Sequence, residues 1–158
     1  MAEAWRVRLI NTPSDLEAAL RIREIVFVQG QGVPADLEVD GLDPQSTHLL
    51  AEAREQGAWL PVGAARLRRK GELAKAERVA VLERARGHGV GALLMAALED
   101  EAEHQGLGQV FLHAQASVVE FYLKLGYLSE GPEFEEAGIA HQAMRKVLPR
   151  RDPEYEET

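Results

Sequence analysis

The sequence predicts a mixed α/β fold in which a single sheet carries helices packed on its faces. Three observations predict it. Strand-like and helix-like segments alternate along the chain, a strand hairpin stands between two helix-containing connections, and a length of 158 residues suits one domain. The order, β-α-β-β-β-α-β-α-β-β, argues against a purely parallel doubly wound sheet. Hydrophobic residues at 46% and charged residues at 28% are ordinary globular values, so the chain has the means to bury a core. Residues 1–149 are assigned to the domain, and residues 150–158, rich in Asp and Glu, to an acidic C-terminal tail.

Each element has a local reason. Over residues 5–10, Trp5, Val7 and Leu9 alternate with Arg6 and Arg8, as in a half-buried strand. Thr12-Pro13-Ser14-Asp15 then marks a helix start, with Thr12 as cap, Pro13 in the first turn and Asp15 placed to close a capping box. Leu16, Leu20, Ile22 and Val26-Phe27 give this helix an apolar side, and it is expected to run to about Gln29, before the break at residues 30–34. Residues 35–47 carry Glu38, Asp40 and Asp43-Pro44 and are expected to form an ordered loop. Strands follow at residues 48–53, 59–68 and 72–82, the last two joined by a hairpin turn at Arg69-Lys70-Gly71. In the next helix Val90, Leu93, Leu94, Ala97, Leu98 and Ala102 keep a helical period, and Gly106 stops it. A short strand at residues 109–113, a helix at residues 117–125 ended by Gly126, and closing strands at residues 127–129 and 139–147 complete the chain.

Charge and composition exclude several functions. Lys and Arg number 18 against 26 Asp and Glu, a net charge of −8, which denies the positive footprint that nucleic acid requires. The chain holds no cysteine, hence no thiolate metal site or thiol nucleophile, which fits a reducing cytoplasm. Its longest apolar stretch, residues 90–98, falls short of the roughly 20 residues of a membrane span. The first residues lack the basic and apolar regions of a signal peptide, so a soluble, non-secreted protein is expected. Exposed edge strands leave room for a homodimer.

The segment with the most chemistry is Val79-Ala80-Val81-Leu82-Glu83-Arg84-Ala85-Arg86-Gly87-His88-Gly89-Val90-Gly91. A β-branched strand runs into alternating glycines that open a helix. Such glycines let backbone N–H groups converge at a positive helix end, which makes an anion site suited to phosphate. A Walker loop is excluded because no glycine is followed by lysine. Gly87, Gly89 and Ala92 formally meet a dinucleotide fingerprint, which keeps NAD open, although the strand at residues 109–113 ends in no acidic residue for a ribose. A tight strand-to-helix turn without a ligand is the plain alternative.

Arg86-x-x-Gly89-x-Gly91 resembles the acetyl-CoA pyrophosphate signature of the GNAT N-acetyltransferases. Glu77-Arg78-Val79-Ala80-Val81 looks like that family's fourth strand, and Leu112-His113-Ala114-Gln115 with Phe121-Tyr122-Leu123-Lys124-Leu125-Gly126-Tyr127 like its fifth strand and following helix. Glu24-x-Val26-Phe27-Val28, Gln31-Gly32-Val33-Pro34, Thr47-His48-Leu49-Leu50 and Gly138-Ile139-x-His141 resemble the ElaA/YjcF-like branch. The resemblance spans nearly the whole chain except the tail. It implies the GNAT fold, a central mixed and mostly antiparallel sheet with helices on both faces.

The resemblance also implies an acyltransferase that moves an acetyl group from acetyl-CoA to a primary amine of a small molecule or peptide by direct attack. Val79, Ala80 and Val81 would pair with the pantetheine arm, and the N–H groups of Arg86, Gly87, His88, Gly89, Val90 and Gly91 would hold the pyrophosphate. Gln115 and Tyr122 would also touch the cofactor, a backbone N–H near Val79 would polarise the thioester carbonyl, and Tyr122 would protonate the leaving thiolate. A large apolar filler is the alternative for Tyr122. Glu77 is a candidate base, or else the partner of neighbouring arginines on an exposed strand edge.

His48, His141 and Asp40 are candidate substrate-site residues. Glu38, Asp40 and Asp43 would form an acidic rim that favours a cationic amine. His88 is expected exposed, while His104 and His113 look structural; no ligand spacing implies a metal. A non-catalytic acyl-CoA sensor and a dinucleotide-binding oxidoreductase are the alternatives.

Overall fold

The computed structural model describes residues 2–149; the expected acidic tail lies outside them. The elements are β1 (Ala4–Leu9), α1 (Pro13–Arg23), α2 (Ala35–Glu38), β2 (Thr47–Glu55), β3 (Ala58–Lys70), β4 (Leu73–Val81), α3 (Val90–His104), β5 (Gln109–Gln115), α4 (Val119–Lys124), β6 (Leu128–Glu136) and β7 (Ile139–Val147). The seven strands form one sheet in the order β1-β2-β3-β4-β5-β7-β6. All neighbours are antiparallel except β4 and β5, which α3 connects as a crossover.

Both faces of the sheet are covered. On one, Val90, Leu94, Met95, Leu98 and Ala102 of α3 pack with Leu49, Val62, Leu67, Val110, Leu112 and Tyr127. On the other, Ala19, Ile22 and Val26 pack on Leu50, Ala64 and Ala80. The alternation of β5 explains how one strand serves both faces: Val110, Leu112 and Ala114 are buried under α3, so Phe111, His113 and Gln115 face the other way.

Several expectations need correcting. Thr12 caps α1 through the Asp15 N–H at 3.2 Å, but the Asp15 carboxylate does not close a capping box, because Arg8 binds both its oxygens at 2.7 and 2.9 Å. The α-helix ends at Arg23 and continues as wider π-helical turns over Glu24–Gln29. The expected loop at residues 35–47 folds into α2 and a 3-10 turn at Asp43–Gln45. β6 runs to Glu136, well beyond residue 129. It is a mostly exposed edge strand interrupted in its pairing between Glu130 and Phe134, so no apolar alternation advertised it.

Two features shape the site. β4 and β5 pair only at Ala74–Val110, Lys75–Phe111 and Ala76–Leu112; beyond these the strands part. β4 also bulges, since Ala64 faces Ala80 and Arg66 faces Glu77, leaving two residues of β4 opposite one of β3. Arg78 lies in the bulge at φ 53°, a left-handed conformation that costs a non-glycine residue about 1–3 kcal/mol. Its guanidinium donates to the carbonyls of Leu37 and Glu38 and to Asp40, which ties the bulge to α2.

Candidate active site

Where β4 and β5 part, a cavity of about 660 Å³ opens, lined on one side by residues 75–81 of β4 and on the other by residues 112–115 of β5. Tyr122, Arg86, Phe27, Gln31, Asp40, Glu136 and His141 also line it. It reaches Arg86 at the start of the glycine turn, while Gly87, His88, Gly89, Val90 and Gly91 lie outside its lining.

At the glycine turn, Gly87 and Gly89 take φ of 82° and 81°, which a side chain at either position would resist. Gly91 is different: it is helical, and a Cβ there would meet Phe121 Cζ at 3.0 Å, so it is a packing glycine between α3 and α4. The N-terminus of α3 has no side-chain cap and no acidic residue in its first turn. Its free N–H groups and partial positive charge are thus unneutralised. Arg86 donates from Nε to the Val81 carbonyl at 3.0 Å. That carbonyl is accordingly already engaged. His88 is exposed as expected and stacks on Trp5, ring centroids 5.3 Å apart.

Tyr122 is at once a core residue and a cavity residue, 8% exposed and in edge contact with Phe121 and Tyr127. Burial pushes its phenol up to about 12, so it carries its proton at neutral pH. Gln115 exchanges amide hydrogen bonds with Gln31 at 2.8 and 3.3 Å, a clasp that joins the end of β5 to the segment after α1.

The acidic residues are not a free rim. Arg66, fully buried, donates to Asp40 at 2.9 and 2.8 Å, to Asp43 at 2.9 Å and to Glu77 at 2.7 Å. Arg23, also buried, donates to Glu38 at 2.6 Å and Asp43 at 2.7 Å, while Arg68 donates to Glu77 at 2.6 Å. With Arg78 on Asp40, four arginines offset the four carboxylates Glu38, Asp40, Asp43 and Glu77. The expected preference for a cationic amine loses its basis. The hydrogen bond from Arg66 holds Asp40 well below the usual carboxylate range. Burial pushes Asp43 and Glu77 up, and the arginine hydrogen bonds outweigh it, so both end below their ordinary values. Glu77 does line the cavity, yet both its oxygens accept from arginines and its side chain is 8% exposed. It is poorly suited to take a proton.

The histidines sort differently from expectation. His48 lies outside the cavity lining, its Nε2 2.9 Å from the Asp43 carbonyl. It braces the 3-10 turn, and the structure does not bring it to the substrate site. His141 does line the cavity, and so does His113, which the sequence suggested was structural. Cross-strand register places them on one face with Phe134 and Glu136. His113 Nδ1 is 3.1 Å from Glu136, and His141 Nε2 is 3.7 Å from the same carboxylate. His141 Nδ1 lies 2.7 Å from the Ile139 carbonyl, which only accepts, so Nδ1 holds a hydrogen. The alternation of β5 was the available signal for His113. Among the described residues no cluster suited to a metal ion occurs, and no helix is long and apolar enough to cross a membrane.

Comparison with known proteins decides what this arrangement is. Residues 27–148 match the model of the acetyltransferase (GNAT) domain. The chain belongs to the GNAT acetyltransferase family. It is an acyltransferase, and the family's chemistry is acyl transfer from CoA. Over 140 residues it is 44% identical to the uncharacterized N-acetyltransferase YjcF of Bacillus subtilis, covering 87% of this chain and 96% of that one. Over 139 residues it is 34% identical to the protein ElaA of Escherichia coli, covering 85% and 89%. A crystal structure of a putative N-acetyltransferase from Lactobacillus plantarum superposes with a TM-score of 0.84 at 28% identity, covering 93% of this chain and all of that one. The expected family, branch and fold are borne out, and the dinucleotide alternative falls.

Proposed function

We propose that this GNAT enzyme transfers the acetyl group of acetyl-CoA to a primary amine of a small molecule or peptide by direct attack within the 660 Å³ cavity. One observation carries the reading: the edge that β4 exposes where it leaves β5 continues into the uncapped N-terminus of α3. The edge suits an extended pantetheine arm as an added strand, and the helix end suits the pyrophosphate. The chain from Val79 through Gly91 then binds the donor, with Gln115 at the side of the arm. The bulge at Arg78 turns backbone out of its pairing with β3, and a freed N–H near Val79 polarises the thioester carbonyl.

The attacking amine must be neutral. His141 is the better base in this reading, because its Nδ1 is held by the Ile139 carbonyl and its Nε2 is the ring nitrogen left to take a proton, with Glu136 3.7 Å away to stabilise the imidazolium that forms. Glu77 acts instead as an anchor for Arg66 and Arg68. Tyr122, protonated well above a free thiol's pKa of roughly 8.5, serves as a hydrogen-bond donor to the developing thiolate rather than as a full proton source. Residues 1–149 function as one domain in this reading, in the cytoplasm of a cell and as a homodimer through exposed sheet edges.

Isothermal titration with acetyl-CoA, with CoA and NAD in parallel, tests the proposal. Saturable binding of acetyl-CoA near one per chain, followed by amine-dependent CoA release, is expected. Absence of acetyl-CoA binding overturns it.

A further inference from the structure

Among the cations that line the cavity, Lys75 and Arg68 keep N–H donors that no hydrogen bond uses among the described residues. Arg68 and Lys75 face each other across β3 and β4, on the same face as Glu77, and both line the cavity. Arg68 uses only its Nε, on Glu77; among the described residues its two terminal nitrogens have no hydrogen bond. Lys75 is partly buried and has no ion pair or hydrogen bond among the described residues. Its nearest recorded contact is the Phe111 ring, 5.8 Å from Nζ, which Lys70 and Arg145 also approach at 5.8 Å.

The carboxylates near Lys75 differ in their partners. Glu77 is bound by Arg66 and Arg68, Glu136 lies between His113 and His141, and Glu130 is bound by Arg145. Like charges directly opposite on adjacent strands repel, as Lys75 and Arg68 do here, with Glu77 and Glu136 near enough to offset it. Burial lowers the Lys75 amine, and the charges of Glu77 and Glu136 only partly oppose it.

We propose that Arg68 and Lys75 form a subsite for an oxyanion carried by the acceptor, so that the preferred substrate is an amine that also bears a carboxylate or phosphate. The inference rests on the acyl-transfer reading and names the substrate class of the same cavity. Guanidinium and ammonium side by side match an oxyanion; Glu136, half exposed in the same cavity, is the one lining carboxylate there without an arginine or lysine ion pair among the described residues. Geometry narrows the class further. Lys75 precedes Val79 by four residues, at most about 13 Å of strand and less through the bulge at Arg78. The amine and the anion of the acceptor are therefore well separated, as in an ω-amino acid or a lysine residue at the C-terminus of a peptide. A free α-amino group beside its own carboxylate is too short.

The test measures CoA release at saturating acetyl-CoA with four matched acceptors: a six-carbon ω-amino acid, the corresponding ω-amino alkylphosphate, the plain alkylamine and the diamine. The anionic pair is expected to exceed the alkylamine in kcat/KM by at least about tenfold, with carboxylate and phosphate ranked by their ratio. Lys75→Gln is expected to collapse that preference through KM, and Lys75→Arg to restore it. Equal use of the alkylamine or diamine, or a preference unchanged in Lys75→Gln, overturns the inference. Titration with hexanoate keeps it separable from the acyl-transfer reading. Hexanoate binding that is lost in Lys75→Gln supports the subsite even when no amine turns over, whereas no hexanoate binding to the wild-type protein overturns it.

Discussion

Replacing Glu77 by Gln separates a base from an anchor. In the wild-type protein each carboxylate oxygen accepts from a different arginine, at 2.7 Å from Arg66 and 2.6 Å from Arg68. Gln keeps one acceptor oxygen and turns an NH2 group toward the other donor. One charge-assisted bond, worth about 1.5–3 kcal/mol, is lost and two donors are opposed beside a buried guanidinium. We expect a loss of about 3 kcal/mol, which for a chain of this size lowers Tm by roughly 6–12 °C. The pH dependence has a definite sign. Glu77 is depressed from 4.5 in the fold, so its contribution is present above that value and disappears as pH falls through the lower folded value. The stability gap between wild type and Glu77→Gln is therefore expected to be widest near neutrality and to close in acid. Thermal melts across pH, paired with a kcat/KM profile, check this. An unchanged Tm with kcat reduced by a hundredfold and the acidic limb of the profile removed would refute the anchor and restore Glu77 as the base.

Three further outcomes are expected. Tyr122→Phe lowers kcat by about tenfold to a hundredfold with acetyl-CoA affinity nearly unchanged, a split that titration and steady-state kinetics resolve. His141→Gln removes the acidic limb of the kcat/KM profile with Tm within a few degrees of wild type; a retained limb excludes His141 as base. Gly89→Ala forces a side chain onto φ 81°, costing about 1 kcal/mol in a melt, and weakens acetyl-CoA more than tenfold because the first amides of α3 shift.

What was legible in the sequence was whatever leaves a local signature. Alternation in β1, the Thr12 cap, the glycines before Val90 and the stop at Gly106 are properties of a few neighbouring residues, and the elements they mark were found, whereas β6 was expected only at its start. The family motifs likewise pointed to the side of the cavity proposed for the donor. The side proposed for the acceptor depends on partners far apart in sequence. Arg66 meets Asp40 across 26 positions and Arg23 meets Asp43 across 20, so carboxylates that looked like a free rim are neutralised in the fold. His113 and His141 converge only through the pairing of β5 with β7, and Glu136 joins them through a strand whose polar sequence concealed it.

The ionic lattice also bears on the bulge at the proposed reacting centre. Arg78 is left-handed there while Leu37, Glu38 and Asp40 accept from its guanidinium, and Asp40 is held in turn by Arg66. Arg66 is fixed through Glu77 to Arg68, and Arg68 faces Lys75. A continuous chain of charge contacts thus runs from the backbone proposed to face the thioester to the pair proposed to hold the acceptor. Buried ion pairs of this kind add little net stability over apolar packing, but removing one member leaves another uncompensated. Their value here lies in position: eight charged side chains that pair with one another fix the β4 wall of the cleft. In the proposed reading, recognition of the acceptor then falls to Lys75, the terminal nitrogens of Arg68 and His141.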